Sequence, residues 1–176
     1  MTTKTVPNTK ILVLVALFVA LSFVGSHLKI FGTIAFDSLP GFLAALLLGP
    51  VYGAAIGFLG HLFTALTSGF PFSLPLHFVI AGTMALAMYL YGLTYRALKK
   101  KTPETAALTV TGIVGLLLNG PVSLAFSMGA LWLMAGREAA LGLLALLPAL
   151  MLASAANIAL SIILFKSLGK VWSKIT

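Results

Sequence analysis

Two histidines stand in a run that otherwise reads as oil. In FLGHLFTALTSGFPFSLPLHF, residues 58–78, His61 interrupts one hydrophobic segment and His77 opens the next. A neutral imidazole offers one donor and one acceptor, so each ring can hold a polar group of a ligand or bridge two helices. Thr64 lies one turn beyond His61, and Asn119 precedes a helix-bending Gly-Pro pair. Two connecting stretches, FGTIAFDSLPG and TSGFPFS, add Asp37, Phe36, Phe70 and Phe72. Donors, acceptors and flat rings of this kind suit the binding of a small molecule. They do not suit bond-making: no nucleophile is paired with a base, so a catalytic role is not expected. With no cysteine, and no carboxylate at ligand spacing from the histidines, neither a metal nor another cofactor is expected. A GxxxxGKS/T phosphate loop is absent, so the chain does not hydrolyse ATP by that route.

The elements that must hold these residues follow from composition. The 176 residues are 60% hydrophobic and 8% charged, with a mean hydropathy of +1.13. Soluble domains carry about 25% charged residues, so the natural solvent of this surface is lipid. The net charge of +8 sits in short clusters between apolar runs, as beside a membrane, and forms no face that tracks phosphates. The first apolar stretch, about 20 residues long without a small-residue cleavage site, reads as a retained helix and not a signal peptide.

Six membrane segments are expected in a single transmembrane domain, residues 1–176, an all-α bundle. They run roughly Lys10–Ile30, Ser38–Leu48, Val51–Ser68, Pro75–Tyr95, Ala106–Met134 and Glu138–Phe165. Crossing about 30 Å of hydrocarbon takes about 20 residues, so the second falls short and must be tilted or partly re-entrant. Such backbone survives at depth only inside protein or beside a wet cavity. Six spans with both termini cytoplasmic put Lys4, Lys10, Arg96, Lys99, Lys100, Lys101, Lys166, Lys170 and Lys174 inside. Only Lys29 and Arg137 then lie outside, in keeping with the positive-inside rule.

Helices associate in lipid through small residues and a few polar ones. GPVYGAAIG places Gly49, Gly53 and Gly57 at four-residue steps, and the next step is His61. His61 therefore faces other helices. Similar stripes run through His77, Ala81 and Ala85, through Gly115, Asn119, Ser123 and Ser127, and through Ala153, Asn157 and Ser161. At 1.5 Å per residue, His61 falls near the midplane, with His77, Asn119 and the two aromatic loops towards the outside. The polar groups converge on an outward-opening pocket that is closed below. For each histidine a plain interhelical hydrogen bond is the alternative, and Asn157 reads as interhelical glue.

The chain resembles the substrate-binding (S) components of energy-coupling factor (ECF) transporters. ALFVA, with Ala16 and Ala20, is similar to the AxxxA pattern by which that family docks on its transmembrane coupling subunit. LLLGPVYGAAIGFLGH resembles the stretch around its second and third spans, with His61 where many members carry an acidic residue. The resemblance implies a six-helix subunit that captures a vitamin-like molecule and works with a coupling protein and two cytosolic ATPases. It also implies that the subunit topples in the membrane to deliver its cargo. Nickel and cobalt members use an N-terminal Met-His group, whereas this chain starts MTTK. FDSLPGFLAALLLG with GFPFSLPLH looks closer to members associated with cobalamin precursors such as α-ribazole, or with cobalamin itself. The competing classes are a stand-alone secondary transporter or channel for a small neutral solute, and a membrane-embedded enzyme.

Overall fold

A computed structural model describes residues 8–27, 29–30 and 34–175, with side chains over 9–27 and 35–169. Lys4 and the side chains of Lys29, Lys170 and Lys174, all used above to orient the chain, lie outside the described residues. The chain folds into an α-helical bundle. Helix α1 is Asn8–His27, α2 is Leu39–Leu47, α3 is Pro50–Thr67 and α4 is Leu74–Leu98. Helix α5, Glu104–Leu117, passes through a π turn at Leu118–Val122 into α6, Ser123–Ala135. Helix α7, Arg137–Gly142, passes through a 3-10 turn at Leu143–Leu146 into α8, Leu147–Ile175. Among the described residues five helical stretches are long and apolar enough to span a membrane; α2 is the short sixth element.

Between α1 and α2 the chain forms a two-stranded antiparallel ribbon, β1 (Lys29–Ile30) and β2 (Ile34–Ala35), with Lys29 opposite Ala35 and Ile30 opposite Ile34. The sequence predicts a first helix running on to Ile30, whereas α1 ends at His27 and a strand follows; an apolar run this short does not distinguish strand from helix. The returning strand packs on the helix end: Phe36 N–H donates to Gly25 O at 3.1 Å, and the Ser22 hydroxyl donates to Asp37 O at 2.7 Å.

Helix α2 is apolar on every face, as a helix enclosed by others must be. Pro40 to Leu46 are all buried. At nine residues it is roughly 14 Å long, about half a membrane span. Gly49, at φ 121°, turns the chain straight into α3, where Pro50 occupies the first turn. No side chain tolerates that backbone easily. The Arg96 guanidinium lies against Gly49 and donates to Leu48 O at 3.2 Å, satisfying a carbonyl that the ending helix leaves open.

The glycine stripe works as expected. A Cβ on Gly53 would strike Ala45 of α2, and one on Gly60 would meet Ser22 of α1. Small residues thus let α1 and α2 approach α3 closely, which is how helices adhere in lipid. The core beneath is built from Phe42, Met84, Met88 and Tyr91, among others, with the Phe42 and Tyr91 rings edge to face at 5.0 Å. Two helix irregularities trace to proline. Pro121 lies inside the π turn, and Pro148 stands two residues past the end of the 3-10 turn. Each lacks an N–H and crowds the carbonyl four residues back.

Candidate functional site

A cavity of about 190 Å³ lies between the ribbon, α2 and the middle of the bundle. Asp37 and Ser38 line it from the chain leading into α2, His61 from α3, and Ile80 and Met84 from α4. Asn119 and Ser123 line it from the π turn and the start of α6, and Ser154 and Asn157 from α8. The core of Phe42, Met84, Met88 and Tyr91 continues directly from its Met84 wall.

Most of the polar wall residues have a local cause and a defined partner. His61 sits one step along the stripe from Gly57, so the ring projects between helices. Its Nε2 is 3.1 Å from His77 Nδ1, and His77 Nε2 is 2.8 Å from Pro71 O. His77, in the first turn of α4, is buried and does not line the cavity; it stands behind His61. Asn119 enters through the π turn, which widens the helix at the bend made by Pro121. Its Nδ2 donates to Ser154 Oγ at 2.8 Å. The Ser123 and Thr83 hydroxyls lie 2.8 Å apart, and Thr83 donates to Ile80 O at 2.9 Å. Asp37 has its own partner.

Asn157 is a clamp. Its Oδ1 accepts from Leu39 N–H at 2.9 Å, and its Nδ2 donates to Ala35 O at 2.7 Å and Ala153 O at 2.8 Å. One amide thereby fixes the end of the ribbon and the start of α2 to α8, with nearly all its hydrogen-bonding capacity in use.

Of the residues singled out from sequence, Asp37, His61 and Asn119 come together on the cavity wall. Thr64 donates its hydroxyl to Gly60 O at 2.9 Å within its own helix and does not line the cavity. Phe70 packs edge-on against His77, centroids 5.8 Å apart. Phe72 is exposed, and Phe36 is half-buried beside the end of α1. Ser38, Ser123 and Ser154 escaped the sequence reading of the site. Ser123 was visible as a member of its helix stripe, but serine is too common in membrane interfaces to stand out alone. Ala16 and Ala20 are exposed on α1, on the face opposite buried Phe18 and Ser22. His27, also exposed, bonds to its own helix through Phe23 O at 2.9 Å. Among the described residues, no group of three or more histidines and carboxylates is disposed to hold a metal ion.

An apolar multi-span bundle with polar side chains gathered from several helices around an internal cavity defines a membrane protein that binds a small solute. The family model for the substrate-specific component of ECF transporters matches residues 10–169, and the chain belongs to that family. It is a transporter subunit that binds substrate for an ECF-type importer. No curated protein and no solved structure gives a significant match.

Proposed function

We propose that the chain captures a compact, vitamin-like heteroaromatic molecule from outside the cell and passes it inward with a transmembrane coupling subunit and two cytosolic ATPases. The carrying observation is the cavity itself: His61, Asn119 and Ser123, from separate segments, aim polar groups into a bundle whose other contacts are mostly apolar. Membrane proteins keep such groups in their interior chiefly for function. The volume of about 190 Å³ lies below the ~300–1,000 Å³ of drug-sized pockets. That size favours α-ribazole or a similar fragment of a cobalamin-related compound over an intact corrinoid.

In this reading both termini are cytoplasmic and the ribbon end faces outward, following the distribution of lysine and arginine. Ala16 and Ala20, exposed on α1, form the docking face for the coupling subunit. The test is purification of the full chain from its native membranes, followed by mass spectrometry of the proteins and small molecules that accompany it. The expected result is a coupling protein, two ATPases and one bound heteroaromatic compound. Uptake by the chain alone in vesicles, indifferent to ATP, would overturn the reading.

A further inference from the structure

The hydrogen-bond chains behind the cavity wall fix which way its polar groups face, and so constrain the ligand. Pro71 O can only accept, so His77 Nε2 carries the proton of that 2.8 Å bond. With both rings uncharged, His77 Nδ1 is then a lone pair, and His61 Nε2–H donates to it across 3.1 Å. His61 has one remaining ring nitrogen, Nδ1, and in this tautomer it is an acceptor. No partner meets it among the described residues.

The second chain runs the same way. Ile80 O can only accept, so Thr83 spends its proton there, and the Ser123 proton goes to Thr83 Oγ1. Ser123 Oγ is left with lone pairs for the cavity. Asn119, donating through Nδ2 to Ser154, keeps Oδ1 as an acceptor. Three independent groups therefore present acceptors to one space. The hydroxyls of Ser38 and Ser154, also on the wall, rotate to either role.

The turn that delivers Pro71 is itself unusual. Phe70 and Phe72 on either side have φ of 50° and 74°, a conformation bulky residues rarely adopt. Backbone strain of this kind persists where the surroundings over-determine it; here it aims one carbonyl at the outer imidazole.

From these placements we infer that the cavity selects ligands presenting several N–H or O–H donors, with His77 as a positioning residue that holds His61 in its acceptor tautomer. This inference rests on the proposed binding role of the cavity and specifies the chemistry of its ligand. Ring N–H groups, exocyclic amines and sugar hydroxyls meet the requirement; a ring whose polar atoms only accept does not.

The test uses the purified full chain in lipid nanodiscs. Nitrogen NMR on histidine-labelled protein reads the tautomers directly: protons on Nε2 of both His61 and His77 are expected, and a proton on His61 Nδ1 overturns the relay. Calorimetry then compares benzimidazol-2-one, which carries two N–H donors, with its 1,3-dimethyl derivative, which has the same ring and none. The parent chain should prefer the donor-bearing probe by about tenfold or more, as expected when a buried acceptor is left unpaired. Equal binding of the pair, or binding of neither, overturns the proposal. In His77→Phe the ring of His61 is free to change tautomer, and the preference should shrink even though the cavity wall is intact. An unchanged preference removes His77 from the relay. Co-purification of the coupling subunit and ATPases is read separately, so failure of the importer reading leaves a distinct signature.

Discussion

His61→Leu keeps the bulk of the side chain and removes both of its hydrogen-bonding functions. If a ligand group meets Nδ1, the substitution leaves that group unpaired, at a cost of roughly 1–3 kcal/mol, or about tenfold to a hundredfold in affinity. His77→Leu acts at one remove. It leaves the His61 Nε2–H without the acceptor now 3.1 Å away, and the expected loss of affinity is smaller. Calorimetric titration of both purified variants with the co-purified compound ranks them; a His61→Leu chain that binds like the parent makes the histidine a plain interhelical bridge. That the two imidazoles touch was not legible in the sequence. They lie 16 positions apart on different helices, and the turn that joins them rests on positive-φ phenylalanines that no propensity rule anticipates. What the sequence did carry was the stripe, because a four-residue step from Gly57 can only place His61 against neighbouring helices.

At the scale of elements, the site depends on how α2 and the ribbon are held. Asn157 joins Leu39 N–H and Ala35 O to α8, so Asn157→Leu orphans two backbone groups in the interior. Each buried unsatisfied group costs about 1–3 kcal/mol. The variant should unfold at lower temperature in detergent and lose ligand affinity together; full retention of both would separate the clamp from the site. Gly60→Val should damage packing instead, because a side chain there meets Ser22 of α1, whose hydroxyl holds Asp37 O at 2.7 Å. Thermal stability of the purified chain reads that directly, and a parent-like melting temperature would contradict the close approach. The shortness of α2 and the glycine packing of α3 were readable from run length and residue size. The ribbon was not: two-residue strands leave no alternation to detect. Asn119 was readable as polar and near a bend, but its presentation through a π turn required the actual backbone around Pro121.

At the scale of the whole molecule, capture and delivery fall to different parts of the bundle. The exterior is apolar, with Leu12, Leu17, Leu133 and Leu152 all well exposed, and the polar cavity lies inside. Ala16 and Ala20 sit on that exterior, and neither lines the cavity. Ala16→Trp or Ala20→Trp should therefore abolish uptake while leaving ligand binding to the isolated chain nearly intact, since small residues are what permit close helix approach in lipid. Loss of affinity in the purified variants would contradict that division. Six segments, their order and their lipid setting were legible because hydropathy and length speak for whole helices. The identity of the ligand was not, since it depends on which atoms of a few side chains remain unpaired after folding.

The most direct measurement is uptake into sealed vesicles of the compound released from the purified chain. Three preparations are compared: the chain alone, the chain with its coupling subunit and ATPases plus ATP, and the same complex without ATP. Accumulation is expected only in the second, with the chain alone binding the compound in its cavity and moving none across. Accumulation by the chain alone, unaffected by removal of ATP, would contradict the account.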